Sequence, residues 1–201
     1  VIDFLLKIGR LKRYPRMGWI VSGVNLAEIE TVGAHSFRTA LIALILSMRE
    51  KELSRDEIDI RRVLEMALLH DFSEAVLQDI DRRVIPYFGE EFKQLKKRAE
   101  KRAVEEIISS MGDHVETKRS FLEVIEDYML EKSKEAKIVQ VADRLEVLIQ
   151  AFEYEQLGYP KKLFEDFWSN IVKEVENSGI KSANKLLEEL LRSRNRKKGS
   201  C

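Results

Sequence analysis

Cysteine is almost missing from this chain: the one present, Cys201, is the last residue, so neither an intramolecular disulfide nor a cysteine-built zinc cluster can form. A reducing cytoplasm is the expected compartment. Turn formers are equally scarce, with three prolines and nine glycines. All-β architectures, which need a turn signal roughly every 8–12 residues, are thereby excluded. Long apolar runs are missing too. The longest wholly apolar stretch covers residues 40–46, far short of the roughly 18 residues of a membrane span. The first residues lack the layout of a signal peptide, so the expectation is a soluble chain that is not exported. Finally, no charge sign is in excess. Thirty-five basic residues face thirty-five acidic ones, and no overall field draws the chain to nucleic acid or to an anionic membrane.

What is present is helix-forming. The 201 residues are 44% hydrophobic and 35% charged, enough for one substantial core, and Glu, Lys, Leu, Ile and Ala dominate. The expected fold class is all-α, a single-domain helical bundle over residues 1–191, followed by a solvated, mobile basic tail over 192–201. Periodicity predicts helices over 2–11, 34–53, 60–72, 90–111, 121–129, 136–157, 161–177 and 182–191. The segment 34–53 is apolar on more than one face, which predicts a central helix. Pro86 and Gly89 break the chain before 90–111.

Within these apolar helices a few polar residues stand out. His35 opens the central helix, His70 and Asp71 close the next one, and Asp143 lies between Ala142 and Leu145. Any one of them alone reads as a helix cap or as the partner of a buried arginine. Two imidazoles and two carboxylates from three helices read instead as a mixed nitrogen and oxygen site, suited to Zn, Fe, Ni, Co or Mn and poorly suited to Ca. His114, beside Gly112 and Asp113, reads as a surface residue, and Trp19 as packing.

The ordered set of segments LKRYPRMGW (11–19), TVGAHS (31–36), ALLHDFSE (67–74) with Asp79 and Ile80 after it, and VADRL (141–145) with Glu153, Tyr154 and Glu155 after it resembles the HD-domain superfamily of metal-dependent phosphohydrolases. The resemblance is closest to the branch of 5′-deoxynucleotidases. It implies an HD-domain helical bundle and one divalent metal ion per chain (Co, Mn, Fe, Ni or Zn) held by His35, His70, Asp71 and Asp143. It further implies Glu74 as the catalytic carboxylate, Asp79 as a second acidic residue near the substrate sugar, and Arg13 and Tyr14 on the phosphate and base side of the pocket. Tyr14 stands where the family has Trp, and Ala34 where relatives carry an acid before the first ligand. On a helix continuing past Asp71, Glu74 would share the face of both preceding ligands and reach the attacking water. An N-cap is the structural alternative for Asp79.

The activity implied is removal of the 5′-phosphate from nucleoside 5′-monophosphates, ribo or deoxy, by a cytoplasmic homodimer that binds neither nucleic acid nor membrane. Two rival expectations accompany it. One is an HD phosphohydrolase acting on a cyclic nucleotide, an alarmone or a nucleoside triphosphate, and the other is a non-catalytic helical scaffold around a metal.

Overall fold

The computed structural model describes residues 1–196, and among them helices account for all regular structure, the only bridge being Pro15 against Thr31. None of these helices is long and apolar enough to cross a membrane. In chain order they are α1 (Ile2–Ile8), α2 (Met17–Val21), α3 (Val32–Ser54), α4 (Ile60–Leu69), α5 (Glu74–Leu77), α6 (Ile85–Ser109), α7 (Val115–Leu130), α8 (Lys134–Gln156), α9 (Glu165–Glu176) and α10 (Lys181–Arg196).

Helix starts follow local chemistry. Thr31 Oγ1 accepts the Ala34 amide at 3.2 Å ahead of α3, and Asp59 Oδ1 accepts the Arg62 amide at 3.1 Å ahead of α4. Ser133 Oγ accepts the Ala136 amide at 3.1 Å ahead of α8. Each bond satisfies one of the amides a helix N-terminus leaves open, worth about 1 kcal/mol. Ala34 occupies the position from which an acid would return the bond to Thr31, so the cap is one-sided.

The chain divides into two compact units. The first takes residues Val1–Ser36 and Leu68–Glu126. Its core sets Phe4 against Phe72 and Phe121, ring centroids 5.8 and 6.2 Å apart, and includes the buried Ala103, Val104, Ile107 and Ile108 of α6. The break expected near Gly89 is a kink inside α6, where Gly89 takes φ 71°. Gly33 is required by a close approach: a Cβ there would lie 3.3 Å from the Leu11 carbonyl oxygen and the Lys12 Cα. The first turn of α3, which carries His35, is thereby seated against the turn Gly9–Lys12.

The second unit takes residues Phe37–Ala67 and the chain from Asp127 onward. Here α8, α9 and α10 pack on one another around Leu145, Leu148, Tyr154, Phe164, Val175 and Leu187, all nearly fully buried. The basic segment 192–196, expected to belong to a solvated tail beyond the last helix, continues α10, with Arg194 half-buried and its neighbours exposed. Arg194 explains this, because its guanidinium binds the buried Glu155 carboxylate at 2.7 and 2.9 Å and lies 4.1 Å above the Trp168 ring. The rest of that expected tail, Cys201 included, lies outside the described residues.

Candidate metal and catalytic site

The first unit brings its polar residues together. α4 ends at Leu69, three residues before the periodicity predicts. Residues 70–73 form a tight turn in which Phe72 donates to Leu69 and Glu74 to Asp71, at 3.1 and 3.0 Å. This turn sends Phe72 into the core while His70 and Asp71 face His35. Glu74 therefore reaches Asp71 by opening a new helix, α5, and not by continuing the old one.

His35 is fully buried and the side chain of His70 nearly so. Their ring centroids lie 5.6 Å apart, and Asp71 Oδ2 sits 3.6 Å from His35 Nε2 and 3.2 Å from His70 Nε2. One donor atom from each of the three lies within 4.8 Å of the other two. Glu74 Oε2 is buried and, among the described residues, has no hydrogen-bond partner. Two imidazoles, a carboxylate and an unsatisfied carboxylate oxygen beside them match the donor preferences of a first-row divalent cation, so the residues present fit the metal expected from the sequence.

A cation in this cluster escaped the sequence reading. Arg16 places Nη1 3.4 Å from Asp71 Oδ2 and 3.7 Å from Glu74 Oε1, and Nε 3.9 Å from Asp79 Oδ2. The strand-like segment around it is fixed by backbone bonds, Val32 donating to Tyr14 at 2.8 Å and Arg16 to Glu30 at 3.1 Å. Asp79 Oδ2 accepts the Met17 amide at 2.7 Å, so this carboxylate ties the Arg16 segment to the loop after α5 and does not cap its own helix. Gln78, just before it, has φ 62° and ψ 171°, a region nearly reserved for glycine that costs on the order of 1–3 kcal/mol. Arg13 is exposed and, among the described residues, pairs with no carboxylate, and Tyr14 is half-buried. Proximity of both basic residues to Pro15 was the only signal available, and it does not distinguish them.

The electrostatics of the two acids diverge. Burial pushes the Asp71 carboxyl up, but His70, Arg16 and His35 outweigh it and hold Asp71 well below the usual carboxylate range. For Glu74, burial comes first and the Asp71 and Asp79 carboxylates add to it, so the group is pushed well above the usual range despite Arg16. Two acids of opposite character at one site suit one to holding a cation and the other to moving a proton.

Asp143 belongs to the second unit. It is buried on α8, with Arg144 Nη1 3.2 Å from its Oδ2. His114 is exposed, and Trp19 is buried with Nε1 donating to Glu30 at 2.8 Å, as expected of a surface and a packing residue.

Comparison with known proteins gives a consistent picture. The family model described as HD domain matches residues 8–186. A human protein named 5′-deoxynucleotidase HDDC2 is 31% identical over 171 residues, which are 85% of this chain and 76% of that protein. Among solved structures, a conserved hypothetical protein from Pyrococcus furiosus superposes with a TM-score of 0.78 at 33% identity, covering 96% of this chain and 99% of that one. An HD-domain phosphohydrolase from Listeria innocua shares the fold, with a TM-score of 0.79 at 22% identity over 98% of this chain and 90% of that one.

Proposed function

The chain belongs to the HD-domain family of phosphohydrolases, and from that premise we propose that it removes the 5′-phosphate from deoxyribonucleoside 5′-monophosphates. The observation that carries the proposal is the convergence of His35, His70 and Asp71 to within 4.8 Å beside the buried Oε2 of Glu74. The name of the human relative, a 5′-deoxynucleotidase, supports the substrate class.

His35, His70 and Asp71 would hold one divalent ion, and the family resemblance gives Asp143 the role of a further ligand. When bound, such an ion supplies a Lewis acid for a phosphoryl oxygen and makes water a better nucleophile near neutral pH. The remaining work falls to the chain. A phosphate monoester dianion is repelled by Asp71, Glu74 and Asp79, and Arg16 offsets that repulsion from within the cluster. Water attacks phosphorus as the bond to the 5′-oxygen breaks, giving nucleoside and inorganic phosphate. Glu74 Oε2 handles the proton, orienting the water or protonating the departing 5′-oxygen. Arg13 and Tyr14 keep the phosphate- and base-side roles that the resemblance implies, and Asp79 the sugar side. The single cysteine accords with a cytoplasmic setting.

The test is phosphate release from 5′-mono-, di- and triphosphates, ribo and deoxy, and from cyclic nucleotides, by chelated protein reloaded in turn with Mn, Co, Ni, Zn and Mg. Release confined to monophosphates, favouring deoxy sugars and abolished together with metal content in His70→Ala, is expected. Turnover of cyclic nucleotides or triphosphates in preference, or silence from metal-loaded protein, overturns the reading.

A further inference from the structure

Arg16 reaches Asp71, Glu74 and Asp79 at 3.4 to 3.9 Å, longer than the about 2.7–3.2 Å of a well-formed hydrogen bond. Contacts of that length attract without fixing an orientation, so the guanidinium is only as well placed as the backbone that carries it. Arg16 is the residue from which α2 starts. That helix has five residues and buries Trp19, far fewer than the about 12–15 at which a helix holds itself in water. Anchors from elsewhere are needed, and the segment after α5 supplies two. Asp79 Oδ2 takes the Met17 amide at 2.7 Å. Arg83 donates from Nη2 to the Gly18 carbonyl at 2.7 Å and from Nη1 to Ser22 Oγ at 3.2 Å. The Ser22 hydroxyl itself donates to the Gly18 carbonyl at 2.8 Å, so one planar fork grips both ends of that turn.

We propose that Arg83 is a positioning residue: its fork on Gly18 and Ser22 sets α2, and through α2 sets the Arg16 guanidinium where a phosphate dianion is met. Arg83 is itself aimed. Asp81 Oδ2 takes its Nη2 at 2.6 Å and its Nε at 2.9 Å, and Asp81 Oδ1 takes its amide at 2.9 Å. Burial pushes the Asp81 carboxyl up, but these Arg83 bonds outweigh it and hold the group below the usual carboxylate range. The strained backbone of Gln78, at φ 62° and ψ 171°, fits the same picture. Such a conformation persists where its surroundings over-determine it, and the charged bonds of Asp79, Asp81 and Arg83 follow it directly. Lysine would not serve at position 83, because an ammonium is a point donor and cannot bridge a carbonyl, a hydroxyl and a carboxylate in one plane. The precision matters for chemistry more than for folding, since a shift of about 1 Å in a positioned group costs up to about 100-fold. The inference rests on the phosphohydrolase reading for the identity of the anion.

Inorganic phosphate is the probe, and calorimetry of its binding to the manganese-loaded full chain reads the effect without any turnover. Arg83→Gln should weaken phosphate binding about 10-fold, with metal content and the circular dichroism spectrum unchanged, and Arg83→Lys should not restore it. A double variant separates positioning from a general structural role. In an Arg16→Gln background the Arg83→Gln change should alter phosphate affinity no further, because it acts through a group already removed. Should Arg83→Gln fold poorly, Asp81→Asn keeps the fork, loosens its aim, and is expected to weaken phosphate binding about 3-fold. Wild-type affinity in both Arg83→Gln and Asp81→Asn, full rescue by lysine, losses that multiply in the double variant, or a wild-type chain without phosphate affinity overturns the proposal. A chain that binds phosphate through Arg83 and Arg16 but releases none from monophosphates would fail as a nucleotidase and leave this inference standing.

Discussion

Buried carboxylates are held in opposite ways in the two units. In the second unit three glutamates have close partners supplied by the chain: Glu155 takes Arg194 at 2.7 and 2.9 Å and Trp168 Nε1 at 3.0 Å, Glu146 takes Arg38 at 2.7 Å, and Glu50 takes the Ser182 amide at 2.7 Å. In the first unit Asp71, Glu74 and Asp79 share one guanidinium at 3.4 to 3.9 Å, and Glu74 Oε2 has no partner among the described residues. Burying a charge is tolerable when its hydrogen bonds are made. A closed cluster therefore contributes to folding, whereas a cluster left short of positive charge is arranged around something else. A divalent ion and a phosphate ester would supply what it lacks.

This contrast predicts that a substitution in the open cluster costs rate and one in the closed cluster costs stability. The largest effect is expected for Glu74→Gln. Its kcat on the best monophosphate should fall about 10²–10⁴-fold, while bound metal is retained and the melting temperature is unchanged or higher, because a repulsion with Asp71 and Asp79 is relieved. Metal analysis, steady-state kinetics and a thermal melt on one preparation read all three. Wild-type turnover in this variant would remove Glu74 from the proton-handling role.

How much of this was open to a reader of the sequence depends on the range of the interaction. Caps at Thr31, Asp59 and Ser133 are local, and the helices they start were legible within a few residues. His35, His70, Asp71 and Asp143 could be singled out because each interrupts an apolar helix. The end of α4 could not be seen, since Phe72 continues the apolar period of Leu68 and Leu69 and only the core around Phe4 shows that a turn delivers it there. The presence of Arg16 in the cluster was equally hidden. It depends on the bridge between Pro15 and Thr31 and on Asp79, more than sixty residues away in the chain. Arg194 looked like part of a solvated run for the same reason, its partner Glu155 lying a helix and a turn earlier.

The closed cluster gives the next effect. Glu155→Leu strips Arg194 and Trp168 of a shared acceptor and should destabilise the chain by about 3 kcal/mol, a fall in melting temperature on the order of 10 °C for this size. Kinetic constants of the folded fraction should hold. Adding Arg194→Leu sharpens the comparison, because replacing both members of a buried pair with apolar residues should recover most of the loss. A double variant no more stable than the single one would mean that Glu155 contributes through packing alone.

The smallest effect is a dependence on pH. Burial raises the Glu50 carboxyl, but the Ser182 amide and then Lys134 outweigh it, and Glu50 sits below its ordinary value. At acid pH the unfolded chain therefore binds a proton here that the native chain does not, so stability rises with pH across this window. The contribution is fully present above the ordinary glutamate value of about 4.3 and is lost as pH falls through the lower native value. Glu50→Gln should consequently cost about 1 kcal/mol at pH 7 and progressively less below pH about 4. Urea midpoints for both proteins at pH 7, 5, 4 and 3 decide it: converging curves place the Ser182 and Lys134 contacts on the ionised carboxylate, whereas a constant gap would assign the loss to shape and not to charge.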